Sequence, residues 1–260
     1  MLVLLSPAKT LDYVSPVPAL PLTTPVFIAQ SQTLVGLLRD LSVQEVAALM
    51  DLSDKLAALN VARFGEWSPD FTDANSRAAI LAFKGDVYAG MEAWTFSPAD
   101  HAFAQSRLRI LSGLYGLLRP LDRLQPYRLE MGTALANPAG RNLYAFWGDT
   151  IARALNAALA EQGDAVLVNL ASEEYSRAAL TRGLAARVVT PQFREEKDGK
   201  FRMVSFYAKR ARGLMAGWIV RRRLSDPAAL TGFDLDGYGY DPRLSEGDTL
   251  VFTRKMLVKG

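Results

Sequence analysis

Cysteine is absent from this 260-residue chain, and histidine occurs once, at His101. The first absence excludes disulfides, thiolate metal sites, iron–sulfur ligation and thiol peroxidase chemistry. One histidine cannot build a multi-histidine metal site, and any Ser-His-Asp mechanism would have to use His101. That residue follows Ser97-Pro98-Ala99-Asp100, which reads as a helix start with Ser97 as N-cap and Pro98 in the first turn, a structural setting. Walker A, GxGxxG and HExxH patterns are also missing. No apolar run approaches the ~20 residues of a membrane span, and the opening stretch from Met1 to Tyr13 is too short and too uncharged for a signal peptide. The expectation is a cytoplasmic protein with no membrane partner, no cofactor and no metal site of its own.

What is present is an ordinary globular balance, 50% hydrophobic and 22% charged, with a net charge of +3. Short apolar runs read as strands at Leu2 to Leu5, Ile80 to Phe83, Leu108 to Leu111, Ala165 to Leu170, Val188 to Thr190, Arg202 to Phe206 and Thr249 to Thr253. Helical patterns fall between them: Gln32 to Leu41, Val43 to Met50 and Asp54 to Phe64 (with Ser31, Ser42 and Ser53 as N-caps), then Asp86 to Trp94, Asp149 to Glu161, Glu173 to Arg182 and Tyr207 to Arg223. Lys197-Asp198-Gly199-Lys200 reads as the turn of an antiparallel hairpin. This alternation predicts an α/β (mixed α+β) fold, with a mixed sheet flanked by helices. No linker or repeat divides the chain, so one domain over residues 1–260 is expected, with residues 31–66 as a helical subdomain.

The charge is unevenly spread. Arg107 to Thr133 strings five arginines around Ser112-Gly113-Leu114-Tyr115-Gly116, and Pro120 and Pro126 stiffen the loop. A strand running into a Ser/Gly turn exposes backbone amides to an anion, and arginine adds planar donor forks. The alternative is that these arginines pair with Asp122 and Glu130 inside the fold. Lys200 to Arg223 holds eight basic residues and no acidic one, a field suited to polyanions or an acidic small molecule. Within it, Lys209, Arg210 and Arg212 cluster on about one helical turn, and Gly213 and Gly217 allow another backbone to approach. Three further turns follow strands and carry polar groups: Ser6 to Thr10 with Lys9, Phe83 to Asp86 with Lys84, and Asn169 to Tyr175 with Ser172. Asp86 and Ser172 also read as simple helix caps. Ligands of open α/β sheets gather at strand ends, so these turns are candidates for one cleft.

Leu49 to Asn60 is similar to the core of a helix-hairpin-helix module, with Leu49, Leu52, Lys55 and Ala57 at the matching positions. Such a hairpin grips a DNA phosphate on backbone amides without reading bases. Asp51 and Ser53 stand where that pattern has glycines, and the alternative is a plain helical bundle.

Taken together, Leu4–Asp12, Leu81–Gly90, Leu108–Thr133, Leu143–Asp149, Leu167–Tyr175 and Ser205–Val220 resemble the YaaA peroxide-stress protein family of bacteria. The resemblance implies a cytosolic protein that helps cells survive hydrogen peroxide by holding down free iron. It also implies binding of duplex or distorted DNA through a positive cleft and a helix-hairpin-helix element. On these grounds Lys9, Lys55, Lys84, Arg119, Arg128, Ser172, Lys209, Arg210 and Arg212 are the expected DNA- or anion-binding residues. A second possibility is an enzyme acting on a nucleotide or nucleic-acid base in the same pocket. It is motivated by Asp86, Tyr115, Glu130 and Tyr175, groups that neutralising phosphate does not require. Direct iron sequestration is the weakest reading, since carboxylates alone would have to supply the ligands.

Overall fold

In the computed structural model, which describes residues 1–255, an eight-stranded sheet forms the centre. Its strands are β1 (Leu2–Leu5), β2 (Leu108–Ser112), β3 (Gly116–Leu118), β4 (Val166–Asn169), β5 (Arg187–Lys197), β6 (Lys200–Arg202), β7 (Gly239–Tyr240) and β8 (Thr249–Lys255). The order is β7-β8-β5-β4-β1-β2-β3, with β6 hairpinned onto β5. The run from β8 to β2 is parallel, and β3, β6 and β7 join it antiparallel. Every residue of β1 and β2 is buried, as strands covered on both faces must be.

Helices pack on this sheet, and one contiguous hydrophobic cluster extends from Met1 to Phe252. The helical subdomain is α1 (Ile28–Arg39), α2 (Val43–Met50) and α3 (Asp54–Glu66). Ser42 caps α2 through a reciprocal box with Glu45. Asp51 adopts the left-handed conformation, φ 50° and ψ 59°, that ends α2. It performs the turning role for which a hairpin glycine is usual. Ser31 is no cap: it lies inside α1, where its hydroxyl donates to the Phe27 and Leu114 carbonyls.

Three expected strands came out differently. Ala79–Ala82 is a helical turn, and only Phe83–Lys84 is extended, pairing with Thr10–Leu11 outside the main sheet. A four-residue apolar run carries too little periodicity to separate these cases. Strand character at Arg202 stops there, because the helix begins at Ser205. The third, Val188 to Thr190, continues as β5 to Lys197 despite Pro191. The Thr190 amide donates to the Asp248 carbonyl, so the missing N–H of Pro191 faces the other edge, where the β4 ladder ends at Val189. The expected turn is there: Asp198 (φ 52°) and Gly199 (φ 72°) close the β5–β6 hairpin. The helix expected over Glu173 to Arg182 is α-helical only to Ser176.

Candidate functional site

Connections from β1 run to β2 on one side, while those from β4 run to β5 on the other. The loops after β1 and β4 therefore diverge, and a crevice opens between them at the carboxyl ends of the strands. The crevice floor is hydrogen-bonded. The Leu170 amide donates to the Leu4 carbonyl at 2.9 Å, and the Ser172 amide to Ser6 Oγ at 2.8 Å. Tyr88 donates its hydroxyl to the Ser6 carbonyl at 3.0 Å, which ties the helix Asp86–Met91 to the same loop.

The long helix Ser205–Arg222 forms the facing wall. Its small residues let two backbones meet: a Cβ on Gly213 would lie 1.8 Å from the Val87 carbonyl oxygen, and one on Gly90 2.3 Å from that of Arg210. Gly217 approaches the Met91 carbonyl in the same way. Three glycines thus set the distance between the helix that carries Asp86 and the helix that carries Lys209 and Arg212.

The result is a cavity of about 580 Å³ lined by Lys9, Lys84, Lys209 and Arg212. Asp86, Ser172 and Tyr175 face the same space, as do Glu173 and Glu174. Lys9 pairs with Glu130 at 2.7 Å and Lys84 with Asp12 at 3.4 Å, while Arg210, outside the lining, reaches Asp236 at 4.0 Å. Among the described residues Lys209, Arg212 and Asp86 stand outside these pairs. Arg212 is half-buried, and desolvation pushes its pKa below the usual value, with no ion pair to an acid among the described residues. A desolvated cation without a counterion favours an anionic ligand.

Residues 1–244 match the model of the peroxide stress protein YaaA family. The chain belongs to that family.

Not all of the candidate residues share the cleft of this family member. Tyr115 is in the core, its hydroxyl accepting from Trp67 Nε1 at 2.9 Å and from the Gln125 amide at 3.3 Å. Burial pushes its pKa well up, so it is a packing and hydrogen-bonding residue. Arg119 pairs with Asp122 at 3.0 Å and lines a different hollow with Arg109 and Glu161. Arg128 pairs with Glu130 at 3.1 Å, so internal pairing describes both of these arginines. Arg123 instead reaches Asp73 at 2.7 Å. Glu130 holds Lys9 at the rim of the cleft. Lys55 is exposed on α3, outside the lining. Desolvation first, then the neighbouring Tyr127 and Glu174, raises the pKa of Tyr175 and keeps it a neutral phenol, a weak acid that can hydrogen-bond a ligand. Asp86 is the first helical residue behind Gly85, and Ser172 occupies its cap position without a side-chain cap bond, so neither acts as a capping side chain. His101 is buried against Phe96, at 5.6 Å between ring centroids, which is structural.

Tyr88, Glu173 and Glu174 went unsingled in the sequence. The signal available for Tyr88 is its place in the first turn of the helix that follows Lys84 and Gly85. No helix is long and apolar enough to cross a membrane among the described residues.

Proposed function

We propose that this member of the YaaA family serves peroxide protection by binding DNA through its phosphate backbone, without sequence specificity, in the cytoplasm. The single observation that carries this is the pair Lys209 and Arg212, cations of the cleft without an ion pair among the described residues, joined there by Lys9 and Lys84. Phosphate neutralisation needs cations and carries no base information. The proposed link to iron runs through the stress response rather than through storage on this chain. Among the described residues, no group of three or more His, Cys, Asp or Glu side chains is placed to hold a metal ion. The test is a mobility-shift titration over a range of salt. Affinity should fall steeply with salt and hardly vary with sequence, and Arg212→Met should lower the salt slope by about one unit. Salt-insensitive binding, or none at low salt, refutes it. Lys55→Glu asks separately whether the hairpin touches DNA: a drop in affinity supports contact, and unchanged affinity leaves it as scaffold.

Asp86 favours a second reading, an enzyme that acts on a nucleotide or base in the same cleft. Its carboxylate lines the cleft among cations yet is in none of their pairs, and the neutral phenol of Tyr175 lines the same cleft. Asp86→Asn keeps the shape and removes a proton acceptor. Lost protection of peroxide-treated cells with DNA affinity intact supports the enzyme; full protection at wild-type expression argues against it.

A further inference from the structure

Beside the cleft lies a second cavity of about 430 Å³, which shares Lys84, Gly85 and Tyr88 with it. Its walls are of another kind. Val17, Pro18, Ile80 and Leu81 make it apolar, and Trp94 stands at it with 60% of its surface exposed. The other three tryptophans, Trp67, Trp147 and Trp218, are all buried. An indole left in water beside an apolar hollow is a stacking platform for a flat group.

Arg77 also lines this cavity. Its side chain is 13% exposed, and its Nη1 is buried without a hydrogen-bond partner among the described residues, with Asp12 Oδ1 at 3.7 Å. A buried donor left unmatched is costly, and an acceptor oxygen on a ligand would relieve it. Asp12 cannot serve the ligand as well. It already accepts from the Val14 and Ser15 amides at 3.0 and 2.9 Å, from the Ser15 hydroxyl at 2.7 Å and from Lys84 at 3.4 Å. Those bonds, led by the Ser15 amide, hold its carboxyl well below the usual range. It is a fixed anion that steadies Arg77 and Lys84 between the two cavities.

We propose that the two cavities form one site for a nucleoside monophosphate unit, with the phosphate on Lys209 and Arg212, the base against Trp94, and a carbonyl oxygen of the base accepting from Arg77. It rests on the phosphate-binding reading of the cleft and adds a place for a base. The unit has two sources, a free nucleotide or a nucleotide unstacked from DNA, and both present the same chemistry.

The test uses the full chain, with calorimetry for affinity and tryptophan fluorescence for placement. Uridine 5′-monophosphate should quench Trp94 and bind about ten- to hundred-fold tighter than ribose 5-phosphate, the range that one aromatic–base stack contributes. Adenosine 5′-monophosphate, whose base has no carbonyl, should be weaker than uridine 5′-monophosphate, and Arg77→Met should remove that difference. Trp94→Ala is an exposed-site change that leaves the fold intact, and it should bring uridine 5′-monophosphate down to the level of ribose 5-phosphate. The DNA arm compares a matched duplex with one carrying a single extrahelical thymidine. A preference for the second that disappears in Trp94→Ala assigns the unit to DNA, and its absence alongside nucleotide binding assigns it to the free pool. Ribose 5-phosphate binding as tightly as the nucleotides overturns the base pocket and leaves the phosphate reading standing. So does a chain that binds duplex but shows neither nucleotide binding nor extrahelical preference. Duplex affinity untouched by Arg212→Met, with no phosphate compound bound, ends both.

Discussion

Substituting Gly213 by alanine tests whether the cleft depends on a glycine seam between two helices. The added Cβ would sit 1.8 Å from the Val87 carbonyl oxygen, 2.7 Å from its carbon and 3.0 Å from the Met91 amide nitrogen. Ordinary contact between non-bonded heavy atoms needs about 3.5 Å, so the helices must part by roughly 1.5 Å or bend. All the atoms in the way are backbone, held by the Asp86–Met91 helix and by Tyr88 on the Ser6 carbonyl. No side chain can rotate to make room. Overpacking costs typically 1–3 kcal/mol, and a rigid obstacle puts this case at the top, about 3 kcal/mol. In a chain of this size that lowers Tm by roughly 6–12 °C. The control is Gly36→Ala in the helix Ile28–Arg39, an exposed position where a Cβ meets nothing within 4 Å. There the same chemical change should stabilise by about 0.5–1 kcal/mol, because alanine is the better helix former. Urea unfolding of both variants gives the opposite signs directly. DNA affinity should also fall in Gly213→Ala, although no charge has been removed, since Arg212 and Asp86 are displaced relative to each other. Equal stability of the two variants, or a Gly213→Ala loss below about 0.5 kcal/mol, would refute the seam.

The opposite flank should be as sensitive. Arg254 and Glu195 are both buried and bonded at 2.8 Å, with Asp236 and the Tyr238 hydroxyl completing the network and Arg254 lying 4.8 Å from the Tyr207 ring. Arg254→Met strands a buried carboxylate and should cost about 3–5 kcal/mol in urea unfolding, while a loss under about 1 kcal/mol would show the pair to be weak. His101 offers a pH test in which its own part is isolated by substitution, since it is the only histidine. Desolvation outweighs the nearby Asp100 and holds its pKa below 6.5, so on acidification the unfolded chain takes up the proton first. Its contribution is therefore intact above about pH 6.5 and declines below it, and His101→Phe should flatten that decline below about pH 6.5; an unchanged slope in the variant puts the proton elsewhere. Ser42→Ala removes the capping box of the second helix and should cost about 1 kcal/mol, read as a lower urea midpoint. A midpoint equal to wild type would mean that this helix is not part of the cooperative unit.

Most of the fold was legible because its signals are local. Val43–Met50 carries its serine cap and its glutamate three residues on, and both ends fell where expected. The turn at Asp198-Gly199 likewise carries its left-handed residues in plain view. Phe83–Lys84 was missed as a side pair because its partner, Thr10–Leu11, lies far away in sequence and only the folded chain unites them. The cleft divides in the same way. Lys9, Lys84, Ser172, Lys209 and Arg212 each follow a strand or open a helix, and position alone marked them. Arg119 and Arg128 looked equally available, yet Asp122 and Glu130 stand three and two residues away and take them. In a cleft, then, cation type decides less than whether a carboxylate lies within reach along the chain. The run from Lys200 to Arg223 contains no acid, and Lys209 and Arg212, unlike Arg210, Arg221 and Arg223, meet none from elsewhere among the described residues. Their charge has nothing within its own helix to meet it, and so it is directed across the cleft, toward whatever anion enters there.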